Sequence, residues 1–210
     1  MTPRIGILLS GSGSTYANIA THIAEGTIAA EIAVVVASRA DAGGLQRAAS
    51  LGHPHTVAQQ SDAINAILAD HQCQWVLLCG FMRRFDAAAN LQGKVLNVHP
   101  SLLPSFGGKG FYGDRVHQAV LDHGCRVSGC SVHLVEGDYD TGPILAQRCV
   151  AVRPNDTVAS LRQRVQAAER HLYPLVVRSI LSHGIHGEGR QRWLSAVAGC
   201  DPADFGFAAD

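Results

Sequence analysis

The apolar positions of the chain change period repeatedly before residue 100. Residues 4–9 (RIGILL) form a short Ile/Leu run, and residues 31–37 (EIAVVVA) form a continuous β-branched run. Runs of this kind lack polar alternation and predict strands buried on both faces. A helix is expected over 15–25, between the two. Helices are also expected over 41–51 and 62–71, a short strand over 55–57, and further strands over 75–79 and 95–98. This β-α-β-α alternation predicts an α/β fold with a doubly wound, mostly parallel sheet.

After residue 100 the pattern changes. Residues 104–113 (PSFGGKGFYG) read as a glycine-rich loop and residues 114–123 as a helix. Two strands, 127–135 and 144–152, flank the turn-rich stretch 136–143 and could pair antiparallel. Asn155, Asp156 and Thr157 then predict the cap of a long helix running to Ser182 and bent at Pro174. Short strands are expected near Ile185 and Trp193. Neither a repeat nor a linker interrupts the pattern, so a single domain over 1–210 is expected. Its halves divide at residue 100, with a C-terminal antiparallel portion in the second.

Composition narrows the partners. Almost half of the 210 residues are apolar (47%), and 17 basic residues balance 17 acidic ones. No basic field exists to draw nucleic acid or an anionic membrane. A phosphate on a small molecule remains compatible. The first residues lack the long apolar core of a signal peptide, and no apolar stretch reaches spanning length, so a soluble, cytoplasmic protein is expected. The six cysteines form no C-x-x-C pair and read as reduced thiols. His53 and His55 are the best metal candidates. They lack the further ligands zinc needs, so they read as loop histidines and no metal is expected.

Four stretches carry candidate chemistry. Gly11, Ser12, Gly13, Ser14 and Thr15 lie between the first strand and the first helix. Glycines there let backbone amides approach an anion, and the helix start adds positive potential. A tight turn with a helix cap would use the same residues. Tyr16 stands where a dinucleotide fingerprint has its third glycine, and no Gly-Lys-Ser/Thr follows, so a small phosphorylated metabolite is the remaining ligand. Asn97, Val98, His99 and Pro100 follow a buried strand. Residues two apart on a strand share a face, so Asn97 and His99 point one way. An amide donor beside an imidazole suits polarising a carbonyl and moving protons. Asp140 sits in a Gly/Pro-bounded turn, 138–143, that places side chains accurately. His133, between Val132 and Leu134, reads as a packed structural histidine. On the long helix Val165, Glu169, Leu172 and Val176 share a face, which puts a carboxylate on an apolar stripe.

Taken in order, these stretches resemble one family. Ser10-Gly11-x-Gly13-Ser14, Gly80-Phe81-Met82-Arg83, the run from Asn97 to Pro104, Ser131-Val132-His133, Asp140-Thr141-Gly142-Pro143-Ile144, and Glu169 followed by Tyr173-Pro174-Leu175-Val176 look like the folate-dependent formyltransferases of the phosphoribosylglycinamide type. The resemblance covers nearly the whole chain and implies a Rossmann-like formyltransferase fold. It implies transfer of a formyl group from 10-formyltetrahydrofolate to the amine of 5′-phosphoribosylglycinamide, a step of purine biosynthesis. Asn97, His99 and Asp140 would be catalytic, with Asp140 keeping His99 cationic. Gly13, Ser14 and Thr15 would take the substrate phosphate, and Glu169 the ribose. Met82, Arg83, Arg84, Phe85, Asn97 and Asp138 would bind the folate. The partners implied are these small molecules, on a monomer or homodimer. Related enzymes keep alternatives open: a formyltetrahydrofolate hydrolase or a sugar-amine formyltransferase. Methionyl-tRNA formyltransferases carry a further nucleic-acid-binding domain, which neither length nor charge suggests here. Two departures stand out: Thr15 where the family often has Asn, and Arg84-Phe85 where an aliphatic pair is usual.

Overall fold

The computed structural model describes residues 1–200 and the backbone of 204, 205, 207 and 208. The chain forms two compact units, Met1–Asn97 and Val98–Asp210.

The first unit contains β1 (Arg4–Leu9), α1 (Ser14–Ala24), β2 (Glu31–Ala37), α2 (Gly43–Ser50), β3 (His55–Val57), α3 (Ser61–Asp70), β4 (Trp75–Leu78) and the first residues of β5 (Val95–His99). Its strands run in the order β5-β4-β1-β2-β3, all parallel. β1 and β2 are buried almost throughout, as unalternated apolar runs require. A Cβ on Gly6 would lie 2.2 Å from Leu68 of α3, so the missing side chain lets this helix lie close on β1. The chain builds outward from β1 to β3, then returns to place β4 on the other side of β1. The β1/β4 boundary is therefore a topological switch point, where α/β sheets gather ligands at the carboxyl ends of their strands.

The second unit contains the end of β5, α4 (Asp114–Asp122), β6 (Val127–Leu134), β7 (Ile144–Ala151), α5 (Val158–His183), β8 (His186–Glu188), β9 (Gln191–Ser195), β10 (Asp204–Phe205) and β11 (Phe207–Ala208). β6 and β7 pair antiparallel from Val127↔Ala151 to His133↔Ile144, with an irregularity at Val132/His133. β10 extends β7 antiparallel, β8 and β9 form a hairpin, and β11 joins β9 in parallel. α5 begins with a reciprocal cap: Thr157 accepts from the Ser160 amide, and the Ser160 hydroxyl accepts from the Thr157 amide. Leu161, Val165, Leu172 and Val176 bury its apolar stripe. Pro174 is accommodated inside this helix.

The fold is thus α/β and mostly parallel, with the antiparallel portion C-terminal. Boundaries differ from the sequence expectation by one or two residues at the ends of elements. The units divide three residues before the expected midpoint. The short strands β10 and β11 were not foreseen, because two-residue bridges carry no periodicity.

Candidate functional site

In the first unit the strand ends are tied by one serine. The Ser10 amide donates to the Gly80 carbonyl at 3.0 Å. The Ser10 hydroxyl oxygen accepts from Ser38 at 2.7 Å and from the Met82 amide at 2.9 Å. Ser10 therefore joins the carboxyl ends of β1, β2 and β4. The chain then passes through Gly13 at φ 74°, where a Cβ would sit 2.7 Å from the Gly44 Cα. Gly13 is required twice, for its left-handed backbone and for the close approach of α2. It forms the N-cap of α1, and no side chain caps that helix. An uncapped helix start of this kind is one that the helix dipole makes favourable for an anion. Arg47 braces the loop by donating to the Ser12 carbonyl at 2.8 Å. Tyr16 turns inward to His53 at 2.6 Å, and burial pushes its phenol up to about 12. His53 is thereby engaged as a core partner. Of the segment after β4, Met82, Arg83 and Arg84 are exposed while Phe85 is buried. Arg84 pairs with Asp86.

In the second unit a carboxylate sits between two histidines. Asp140 Oδ2 lies 3.4 Å from His99 Nδ1, and Oδ1 lies 3.5 Å from His133 Nε2. The Gly108 amide donates to Asp140 Oδ2 at 2.9 Å. Each histidine has its other nitrogen on a backbone carbonyl: His99 Nε2 on Phe106 at 2.9 Å, and His133 Nδ1 on Leu134 at 2.8 Å. A carbonyl only accepts, so those nitrogens carry protons. Both rings are almost wholly buried.

The electrostatics follow from this seating. Burial lowers the His99 pKa from its ordinary 6.5; Asp140 and the Phe106 carbonyl oppose the shift, and His133 adds to it. Nε2 donates to the Phe106 carbonyl, and Nδ1 faces the Asp140 carboxylate. Burial thus opposes the cationic form that the resemblance implies, and Asp140 supports it. For Asp140 the balance goes the other way. Burial raises its pKa, but the His133 hydrogen bond, the His99 interaction and the Gly108 amide together hold it below the ordinary carboxylate value. Asp140 is ionised.

Two turns hold this arrangement. After β5, Ser101 donates to the Ser105 carbonyl at 2.6 Å, and Ser131 of β6 donates to the Ser101 carbonyl at 2.7 Å and accepts from the Leu103 amide at 2.9 Å. Gln147 of β7 donates to Leu103 and Ser131. Asp140 itself adopts φ 57°, unusual for a side-chain-bearing residue. Thr141 braces it by donating its hydroxyl to the Glu136 and Asp138 carbonyls. A Cβ on Gly142 would lie 1.8 Å from the Leu134 carbonyl oxygen, so only glycine closes the turn there.

The formyl transferase family model matches residues 3–177. The chain belongs to the formyl transferase family. It is 36% identical over 194 residues to the chloroplastic phosphoribosylglycinamide formyltransferase of Arabidopsis thaliana, covering 87% of this chain and 66% of that one. It is 36% identical over 205 residues to the trifunctional purine biosynthetic protein adenosine-3 of Bos taurus, covering 91% of this chain and 20% of that one. The chain thus spans two thirds or less of these curated relatives. The crystal structure of glycinamide ribonucleotide transformylase 1 from Symbiobacterium toebii is 35% identical, with a TM-score of 0.83 covering 92% of this chain and 94% of that one.

In this family member His99 and Asp140 come together, and Asn97 lies two residues before His99 on β5. Gly13, Ser14 and Thr15 open α1 at the switch point of the first unit. Glu169 lies on α5 in the second unit, and burial pushes its carboxyl up to about 7 against the opposing effect of Arg170. Asp138 is exposed at the rim of the Asp140 turn. His133 is packed, as its apolar neighbours indicate, and its Nε2 also lies against Asp140. Ser10, Ser131 and Gln147 were missed as brackets of the loops. Among the described residues, no group of three or more His, Cys, Asp or Glu could hold a metal ion, and no helix is long and apolar enough to cross a membrane.

Proposed function

We propose that this family member transfers the formyl group of 10-formyltetrahydrofolate to the amine of 5′-phosphoribosylglycinamide, as an enzyme of de novo purine biosynthesis. The observation that carries the reading is the buried Asp140 carboxylate seated between His99 and His133, on a chain whose relatives are named for this activity. In the reaction the substrate amine attacks the formyl carbon. A nitrogen–carbon bond forms and the carbonyl oxygen becomes an oxyanion. The Asn97 amide donates to that oxygen. His99 in its neutral form takes the amine proton on Nδ1, and Asp140 stabilises the imidazolium. The bond between the formyl carbon and the folate nitrogen then breaks; its electron pair and the proton from His99 go to that nitrogen. An oxyanion donor of this kind contributes roughly 10²–10³ in rate. No metal ion takes part in these steps.

The uncapped amides at Gly13, Ser14 and Thr15 suit the phosphate. Glu169 suits the ribose, whose hydroxyls would pair with the half-buried carboxylate. Met82, Arg83, Arg84 and Phe85 would line the folate's pterin pocket through backbone groups and apolar packing, and Asp138 would close over the pterin. The cytoplasm is the compartment that fits the free cysteines. The deciding experiment supplies formyl-folate with and without the glycinamide ribonucleotide and follows the folate spectroscopically. Transfer only with the nucleotide is expected. Folate release without it would assign a hydrolase instead.

A further inference from the structure

The turn that carries Asp140 is gripped from outside by the C-terminal hairpin. β8 and β9 are joined by Gly189 and Arg190, with Glu188 opposite Gln191. Gly189 has φ 57° at the first turn position, the arrangement of a type II′ hairpin. Such a turn matches the twist of the strands and presents Arg190 at the tip. The hairpin is anchored on the second unit. His186 stacks on Trp193 with centroids 4.3 Å apart. Leu194 is fully buried, and the Ser179 hydroxyl of α5 donates to the Ser195 carbonyl at 2.6 Å.

From this platform two arginines reach the two ends of the turn 136–141. Arg190 Nη1 donates to the Thr141 carbonyl at 2.8 Å, on the residue after Asp140. Arg192 Nη1 pairs with Glu136 Oε1 at 3.2 Å, at the start of the turn. Between these points lies the left-handed Asp140. A non-glycine residue at positive φ persists only where its surroundings over-determine it. The inner bracing by Thr141 fixes the shape of the turn; the two arginines fix where the hairpin holds it.

Resting on the proposed role of Asp140, we propose that Arg190 and Arg192 are positioning residues of the formyl-transfer reaction: the hairpin clamps the Asp140 turn and so holds the carboxylate against His99. They touch neither substrate nor the reacting atoms. Loosening the clamp lets Asp140 drift from His99, and the imidazole loses the stabilisation of its charged form. The titratable groups facing His99 are Asp140, His133 and His117 of α4. The clamp acts through the first of these.

The test uses the full chain with R190A, R192A, the double variant, R190K, the charge swap R192E/E136R, and D140N as reference. Formyl-transfer kinetics, thermal melting and the NMR titration of the His99 imidazole are measured on each. The double variant is expected to lose roughly tenfold in kcat/KM, mostly in kcat. Its His99 pKa should fall toward the D140N value while the melting temperature stays near wild type. R190K, which keeps one donor to a carbonyl, and the charge swap should recover most of the loss. Arginine variants with wild-type kcat/KM and an unmoved His99 pKa, beside a crippled D140N, would overturn the clamp and leave the role of Asp140 standing. Melting lowered with no shift of His99 would reduce the hairpin to a stabilising element and also overturn it. A D140N protein that retains activity and its His99 pKa would remove the catalytic reading itself.

Discussion

The two loops of this chain that hold candidate chemistry are built in opposite ways. The loop after β1 is made of backbone. Gly13 has its left-handed φ without strain, sits within contact of Gly44, and leaves the α1 amides without a side-chain cap. The turn before β7 is made of side chains. There a non-glycine residue, Asp140, holds the left-handed conformation, and Thr141, Gly108 and two histidines keep its carboxylate in place. A backbone site answers to added atoms and hardly to altered side chains. A side-chain site answers to lost partners. The mutations that break each are therefore different in kind.

The largest effect belongs to the side-chain site. His99→Ala is expected to fold and to lose about three orders of magnitude or more in kcat/KM, since it removes proton transfer and its share of charge stabilisation together. Asp140→Asn should approach that loss, and the double variant should be little worse than either alone, as groups acting as one unit behave. A His99→Ala enzyme within tenfold of wild type would end the assignment. The pH profile sharpens it. A base must be neutral to accept a proton, so kcat/KM should rise with pH and level off above the His99 pKa. Burial sets that acid limb below 6.5. Removing the Asp140 charge should move it further down.

His133 comes next. His133→Asn strips Asp140 of one neighbour while leaving His99 in place. At 3.5 Å the contact is long for a hydrogen bond, so a loss of a few-fold to about tenfold in kcat is expected, with the nucleotide KM little changed. Wild-type kcat would return His133 to the purely packed role that its sequence neighbours suggest.

This contrast also explains what could be read in advance. The parallel strands were legible because a strand buried on both faces must be apolar throughout, as Val34, Val35 and Val36 are. The glycine loop was legible because only glycine lets backbone approach so closely, and that demand leaves its mark in the residue type. The side-chain site leaves no such mark. Asp is common in any turn, and His133 between Val132 and Leu134 looks like core. Their meeting depends on the pairing of β6 with β7, with its irregularity at Val132/His133. Only the resemblance brought Asp140 and His99 together from sequence, and the burial that opposes the charge of His99 is a property of the assembled fold. The brackets Ser10, Ser131 and Gln147 were invisible for the same reason.

The backbone site is best probed at Gly11. Gly13→Val drives a side chain into the Gly44 backbone and strains φ, so it should damage the first unit as a whole and cannot isolate ligand binding. A Cβ on Gly11 meets nothing within 4 Å. Gly11→Ala should therefore fold normally and place a methyl where a phosphate would approach. Weakening of nucleotide binding by roughly tenfold, about 1.4 kcal/mol, is expected in calorimetry, with folate binding unchanged. Equal losses for both ligands, or for neither, would separate the loop from the phosphate.

Glu169 gives the smallest effect. It is a single side chain on an otherwise apolar helix stripe of the second unit. Burial holds its carboxyl at about 7 against an ordinary 4.5, so the folded chain keeps a proton that the unfolded chain gives up. Below pH 4.5 both states are protonated and no penalty arises. As pH rises through 7 the folded chain must ionise a half-buried group, and the stability present at low pH is lost. Glu169→Gln abolishes that loss. The variant should match wild type in melting near pH 4.5 and exceed it at about pH 8 by on the order of 1 kcal/mol, or a few degrees. Substrate hydroxyls would pair the ionised carboxylate, so the same substitution should raise the nucleotide KM roughly fivefold, about 1 kcal/mol, and leave the folate KM alone. A stabilised enzyme with a weakened nucleotide is the signature of a carboxylate kept for a ligand at the expense of the fold. If Glu169→Gln instead melts lower at every pH and binds the nucleotide as wild type does, the carboxylate serves the helix and not the ribose.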